Sequence, residues 1–392
     1  MRMLHAPVCR PMLSMAIAVA ASLACGPSMP AAADGPIVAP ADVQARIVSL
    51  GPWPPPLMPD PGNRMSGRPA AIAFGELLFH SPRLSTVGGL RCATCHEPWR
   101  FYADGRATAL GAVDGGRNTL SLWNVRFQRL YGWDGANDSL WAQSIRPMLD
   151  PREMHASAAE AASAVRAAPE LARGYAQAYG RLPSTDDESV LVDIAKALAA
   201  YQETLVSGRT PFDDWRDALA RGDRHAAANY PAAAARGAAL FAGKAACIGC
   251  HAGPLFSDGA FHVALHRSQL PDGSPDTGRS AGRQHGLESP YRRGGRYDDA
   301  PRPVPSAEQA ASAVAYAFRT PGLRDVAATG PYLHDGSVAN LCDALQPHAA
   351  DAGGSAAPPL SIDERRDLVA FLLTLSTTDG APLAEPSSWT CR

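Results

Sequence analysis

The sequence predicts a mostly α fold in two domains, and three observations carry that expectation. Alanine-rich segments with helical spacing recur along the chain, and no stretch alternates apolar and polar residues for long enough to build a sheet. One pentapeptide, C-x-x-C-H, occurs twice, each time behind a helix-forming segment, as Cys92-Ala-Thr-Cys95-His96 and Cys247-Ile-Gly-Cys250-His251. A chain of 392 residues is long enough for each copy to sit in a domain with its own core. The formal net charge of −2 gives no support to nucleic-acid binding.

In this pentapeptide two thiols add to the vinyl groups of a haem, and the adjacent His gives the iron an axial nitrogen. With 8 Cys and 11 His in the chain, chance predicts on the order of a few thousandths of one occurrence. Half a zinc site would need a second ligand pair nearby, and a redox dithiol carries no obligatory His. Two covalently bound haem c groups are therefore expected, one held by Cys92, Cys95 and His96 and one by Cys247, Cys250 and His251. Each half then reads as a cytochrome c-like haem domain, the pair packed around an inter-domain interface.

Taken in order, the N-terminus carries Arg2 and Arg10, an apolar run over 12–24, and small residues up to Ala33. That is the pattern of a secretory signal peptide over residues 1–33, too short in its apolar part for a stable span, which implies an exported, periplasmic protein. A lipid anchor at Cys25 is the alternative, but Ser22 and Leu23 fit such a site poorly. Residues 34–207 form the first expected domain. Its entry, 34–70, reads as extended, because Gly51-Pro-Trp-Pro-Pro-Pro-Leu-Met-Pro-Asp-Pro-Gly62 cannot be helical and suits polyproline. Helices are expected over 70–79, 156–167, 169–179 and 187–207. Gly208-Arg-Thr-Pro211 begins the second domain, 208–392, where 231–242 repeats the helix ahead of the haem motif. Residues 270–305, rich in Gly, Pro, Arg and Asp, read as a long mobile loop. The last helix, 362–375, has Ser361 as N-cap and Glu364 at the capping-box position. Cys342 and Cys391 remain after the motifs and signal are counted, and are candidates for a disulfide in an oxidising compartment.

Two haem domains serve an electron carrier as well as an enzyme, so the sixth ligands decide. Between Cys95 and Pro147 there is no Met, and after His96 the next His is His155. The first haem is therefore expected to be open on one face to a small molecule such as hydrogen peroxide. His80 competes as a distal ligand, with a surface or packing role the plainer reading. A carboxyl group over an open haem shuttles the peroxide proton between its oxygens, and Glu153 is the acidic residue best placed by context. No Met follows Met154, so a Met ligand for the second haem from its own half is excluded. The candidates are His262, His266, His285, His334, His348 and the tyrosines.

At these residues the chain resembles the bacterial di-haem cytochrome c peroxidase and MauG superfamily. The likeness runs through Gly116-Arg-Asn118-Thr, Gly132-Trp133-Asp-Gly135, Pro151-Arg-Glu153-Met, Ala199-Ala-Tyr-Gln-Glu-Thr-Leu-Val-Ser-Gly208 and Phe318-Arg-Thr-Pro321 to His334-Asp-Gly336. The resemblance implies that Glu153 is the acid–base group, that Gln143 lines the peroxide pocket, and that Trp133 lies between the haems. It implies a calcium ion held at Asn118, Thr329 and Pro331, the last two through backbone oxygens. By spacing it puts His348 where the family has its second-haem ligand. The chain is most similar to MbnH-type di-haem enzymes, which implies a paired (bis-)ferryl state and oxidation of a tryptophan of a small MbnP-type periplasmic partner to kynurenine. The alternative is an ordinary cytochrome c peroxidase fed by a small redox protein, and a bis-His electron carrier is the non-enzymatic reading.

Overall fold

The computed structural model describes residues 39–263, 267–300, 314–348, 359–377 and 391, with the backbone alone at 347 and 348. Helices dominate. In chain order they are α1 (Ala41–Val48), α2 (Pro69–His80), the short α3 (Cys92–Cys95), α4 (Leu140–Leu149), α5 (Ala158–Ala167), α6 (Pro169–Tyr179) and α7 (Asp187–Gln202). There follow α8 (Pro211–Arg221), α9 (Arg224–Ala227), α10 (Ala232–Ala242), α11 (Arg279–Glu288), α12 (Leu341–His348) and α13 (Ile362–Leu373). The described strands are β1 (Phe261–Val263) and β2 (Ala317–Arg319), paired antiparallel with Phe261 opposite Arg319.

The described residues fall in one compact unit that contains two hydrophobic cores. The first gathers Phe74, Phe79, Trp141, Ile145, Tyr175 and Leu198 from α2 and α4 to α7. The second gathers Ile47, Phe212, Phe241, Phe256 and Phe371 from α1, α8, α10, α13 and the loop after the second motif. Each core is closed the same way, by the helix that precedes a C-x-x-C-H. On α2, a Cβ at Gly75 would lie 2.0 Å from the Ala197 carbonyl oxygen of α7. On α10, a Cβ at Gly237 would lie 1.9 Å from the Asp367 carbonyl oxygen of α13. No side chain fits at such crossings, so glycine is required at both. Helix-before-motif is thus repeated in packing as well as in sequence.

Several expectations need correction. The segment 34–70 is not extended throughout. Residues 41–48 are helical, and Ile47 and Leu50 join the second core rather than the first. Trp53, within that proline-rich stretch, is 4% exposed, donates through Nε1 to the Ser207 carbonyl, and lies 3.6 Å under the Arg324 guanidinium. Helix α7 stops at Gln202 rather than 207, and α13 at Leu373. The expected mobile loop is anchored over its described part. It contains α11, and Arg117 pairs with Asp276, Arg293 with Asp60, and Lys196 with Asp299. Ion pairs do there what its composition gave no sign of. Ser361 and Glu364 do form the capping box at the start of α13, and Cys342 and Cys391 are disulfide-bonded. The signal peptide (1–33, with Cys25) and His266 lie outside the described residues.

Candidate active site

Each C-x-x-C-H forms one tight turn that presents its two sulfurs and turns the histidine inward. Cys92 and Cys95 lie on α3, Cys247 opens a 3₁₀ turn, and none of the four thiols is in a disulfide. The His96 Nδ1 is 3.1 Å from the Tyr102 carbonyl and the His251 Nδ1 is 2.9 Å from the Phe256 carbonyl. That contact fixes each ring with Nδ1 as donor and Nε2 as the metal-binding nitrogen, the usual arrangement for an axial histidine. Burial also lowers the His96 pKa and keeps the imidazole neutral. Burial pushes Cys92 and Cys95 up to about 12 and Cys247 up to about 11. A catalytic dithiol shows the opposite shift. The residues therefore fit haem attachment and not thiol redox chemistry. Among the described residues, one other group could hold a metal, Cys250 with Asp258 and His262. It shares a haem-attachment cysteine, and His262 Nε2 already meets Asp258 Oδ2 at 2.8 Å.

Glu153 follows α4 in the turn 151–154, where its carbonyl accepts from the Ala112 amide at 2.9 Å. The same loop reaches the first motif, where Cys95 Sγ lies 3.7 Å from the Leu110 carbonyl, and the negative charge of Glu153 adds to the rise in the pKa of both thiols. Burial raises the Glu153 pKa, Arg146 opposes that rise, Asp150 adds to it, and Arg152 opposes it. Gln143 lies on α4, its Oε1 accepting from Asn137 Nδ2 at 2.9 Å. One turn further along α4, Arg146 Nη1 is 3.3 Å from Asp134 Oδ1. Arg146 had no role assigned from sequence. The signal was its i,i+3 spacing from Gln143, which puts the two side chains on one helix face.

Trp133 is 9% exposed and spans the two halves. Its Nε1 donates to the Asn118 carbonyl at 2.8 Å, its carbonyl accepts from the Arg319 amide at 2.9 Å, and its ring meets His334 edge-on at 6.5 Å. His334 stacks on Phe318 with centroids 3.7 Å apart. Beside Trp133, Asp134 and Asp276 share Arg117 through contacts of 2.6 and 2.7 Å. Burial alone would raise the Asp134 pKa, but Arg146 and Arg117 together hold it well below the ordinary carboxylate range.

The structure brings Asn118 to the loop that carries Thr329 and Pro331, through its amide bond to the His334 carbonyl at 2.8 Å. Its Nδ2 donates to the Arg106 carbonyl at 2.8 Å, and Thr329 Oγ1 donates to the Val326 carbonyl. His348 ends α12, and its side chain lies outside the described residues. Of the other imidazoles considered for the second iron, His262 and His285 are exposed and His334 is buried against Phe318. His80 is exposed at the end of α2. Among the described residues no helix is long and apolar enough to cross a membrane.

Comparison with known proteins points to one family. A family model described as di-haem cytochrome c peroxidase matches residues 69–221. The methylamine utilization protein MauG of Methylorubrum extorquens is 37% identical over 324 residues, covering 80% of this chain and 80% of that protein. The cytochrome-c peroxidase IdrP1 of Denitromonas iodatirespirans is 32% identical over 389 residues, covering 93% and 94%. Among solved structures, a MauG-like protein associated with microbial copper homeostasis superposes with a TM-score of 0.59 at 27% identity, covering 84% of this chain and 96% of that one. The chain belongs to the di-haem cytochrome c peroxidase and MauG family, and is a peroxidase-type oxidoreductase of a family whose cofactors are two haem c groups.

Proposed function

We propose that this is a periplasmic di-haem peroxidase that uses hydrogen peroxide to oxidise a protein, its substrate being a tryptophan of a small MbnP-type partner that is converted to kynurenine. One observation carries the reading: the turn that bears Glu153 packs on the loop 110–112 beside Cys95, while Trp133 reaches from that half of the chain to residues of the second. The likeness to a MauG-like protein associated with copper homeostasis, over 96% of its length, supports the choice of partner class. Bound haem supplies iron that takes up the two oxidising equivalents of peroxide. Glu153 accepts the proton of the inner peroxide oxygen and returns it to the outer one, so that water leaves. Gln143, held by Asn137, orients the bound peroxide by a hydrogen bond. Trp133 carries charge between the halves, so peroxide and the protein substrate need not share a pocket. His251 and His348 would hold the second iron. The domains divide at 207/208 after export by the 1–33 signal. Calcium binds at Asn118 and the backbone oxygens of Thr329 and Pro331, a donor set suited to a hard cation.

The test is mass spectrometry of the co-produced partner after peroxide is added to the haem-loaded enzyme. Oxygen gained by a partner tryptophan is the expected result, and an unmodified partner overturns the reading. The 32% identity to a cytochrome-c peroxidase over 93% of the chain favours a second reading, reduction of peroxide with electrons from a small redox protein. Steady oxidation of reduced cytochrome c with no change in the partner protein establishes that one instead.

A further inference from the structure

Four consecutive carbonyls of the loop that carries Trp133 accept hydrogen bonds from the second half of the chain, and two buried arginines supply all of them. Arg319, on β2, donates from Nε to the Gly132 carbonyl at 3.1 Å and from its backbone amide to the Trp133 carbonyl at 2.9 Å. Arg279, the first residue of α11, donates from Nη1 to the Asp134 carbonyl at 3.2 Å and to the Gly135 carbonyl at 2.7 Å. Gly132 and Gly135 have φ of 79° and 62°, a backbone that glycine adopts without strain. Arg279 and Arg319 are 2% and 4% exposed, and among the described residues neither forms an ion pair. A guanidinium taken out of water is costly, and an apolar side chain would fill the same space without that cost. What these two gain in return goes to the Trp133 loop, apart from the Phe261 ring that lies 4.4 Å under Arg279. Helix α11 also meets the loop closely: a Cβ at Gly282 would stand 2.4 Å from the Asp134 carbonyl oxygen, and one at Gly286 2.6 Å from that of Ala136.

We propose that Arg319 and Arg279 are positioning residues for Trp133, through which the second half of the chain grips the backbone of residues 132–135 and keeps the indole in one orientation. The inference rests on the reading of Trp133 as the route for charge between the halves. The indole is then held from both sides. Its ring nitrogen donates to the Asn118 carbonyl of the first half at 2.8 Å, and its own carbonyl is taken by Arg319 of the second. The part of the two guanidiniums is geometric, and neither exchanges a proton or an electron. Passage of charge through a ring depends on its distance and tilt to its neighbours, so a residue that does no chemistry can still govern it by holding the ring still. Charge-assisted bonds to carbonyls suit that task, being stronger and more directional than apolar packing.

The experiment compares haem-loaded wild type with Arg319→Met, Arg319→Lys, Arg279→Met, Gly282→Ala and Trp133→Phe. The near-infrared charge-resonance band after peroxide is recorded for each, with the resting optical spectrum and the melting temperature as controls. Arg319→Met and Arg279→Met keep an unbranched stem and give up the bonds to the loop. Both are expected to lose most of the band in the folded protein while the resting spectrum stays that of wild type. Arg319→Lys, which keeps a donor, is expected to recover part of it. Gly282→Ala pushes α11 off the Asp134 carbonyl without touching a charge, and should weaken the band as well; with Arg279→Met it tests the same grip if Arg319→Met yields no folded protein. A lower melting temperature with a band of wild-type intensity would make the arginines packing residues and overturn the inference. So would a band that falls only together with a changed resting spectrum. Trp133→Phe separates the two levels of the argument. If it abolishes the band and the arginine variants keep it, the grip alone is wrong; if it leaves the band intact, the reading of Trp133 falls and the role of the arginines falls with it.

Discussion

Replacing Glu153 by Gln keeps the size and shape of the side chain and deletes its ability to hold a proton. Proton transfer by a placed side chain is worth roughly 10²–10⁴ in rate. At about 1.36 kcal/mol per tenfold, the loss expected on Glu153→Gln is about 3–5 kcal/mol of barrier. Stopped-flow mixing of the resting haem-loaded protein with peroxide measures it directly. The pH dependence carries further information, because burial raises the Glu153 pKa above its ordinary 4.5. In wild type the rate should fall as pH drops through that elevated value, and in Glu153→Gln the limb should vanish. Stability moves the other way. A carboxyl raised in the folded state binds more protons folded than unfolded, so its contribution to stability declines as pH rises from the unfolded value through the folded one. Glu153→Gln should therefore be no less stable than wild type at neutral pH and keep its full haem content. A rate within threefold of wild type (about 0.65 kcal/mol) would refute the assignment. So would a drop in rate matched by a drop in haem content.

Two further outcomes are expected. Trp133→Phe deletes the 2.8 Å bond from the indole to the Asn118 carbonyl, and should cost about 0.5–1.5 kcal/mol in a denaturant melt. It should also abolish the near-infrared charge-resonance band after peroxide; a band of wild-type intensity would remove Trp133 from the route between halves. Asp213→Asn strips the partner of Arg324, two side chains each 2% exposed and joined by contacts of 2.8 and 3.0 Å. An unpaired buried guanidinium costs about 3–5 kcal/mol, so the denaturation midpoint should drop while the peroxide rate of the folded fraction stays unchanged.

The chemistry of this chain was more legible in its sequence than its packing. Both haem turns, the helices around them, and the Ser361–Glu364 capping box are local signals, and they recur in the structure where the letters put them. The helices that went unread are of two kinds. Helix α8 is announced by Thr210, Pro211 and Asp213, which form a complete capping box with proline in the first turn, so that signal was present and not used. Helix α11 has two glycines and no N-cap side-chain bond, and its local propensity is poor. It forms because Gly282 lets it lie against the Asp134 carbonyl, 2.4 Å from where a Cβ would be, an interaction of partners far apart in sequence. Arg146 belongs to the same category. Its spacing from Gln143 was visible, but its pairing with Asp134 depends on how the loop 131–137 folds back over α4.

The proposed reaction requires an asymmetry between the two irons, in which the first would be open to peroxide beside Glu153 and the second would be held by nitrogen from both His251 and His348. Electron paramagnetic resonance of the resting ferric protein, alongside His348→Ala, tests it most directly. One high-spin and one low-spin signal are expected, with the low-spin signal converted to high spin in His348→Ala. Two low-spin signals in wild type, or a low-spin signal that survives His348→Ala, would contradict it.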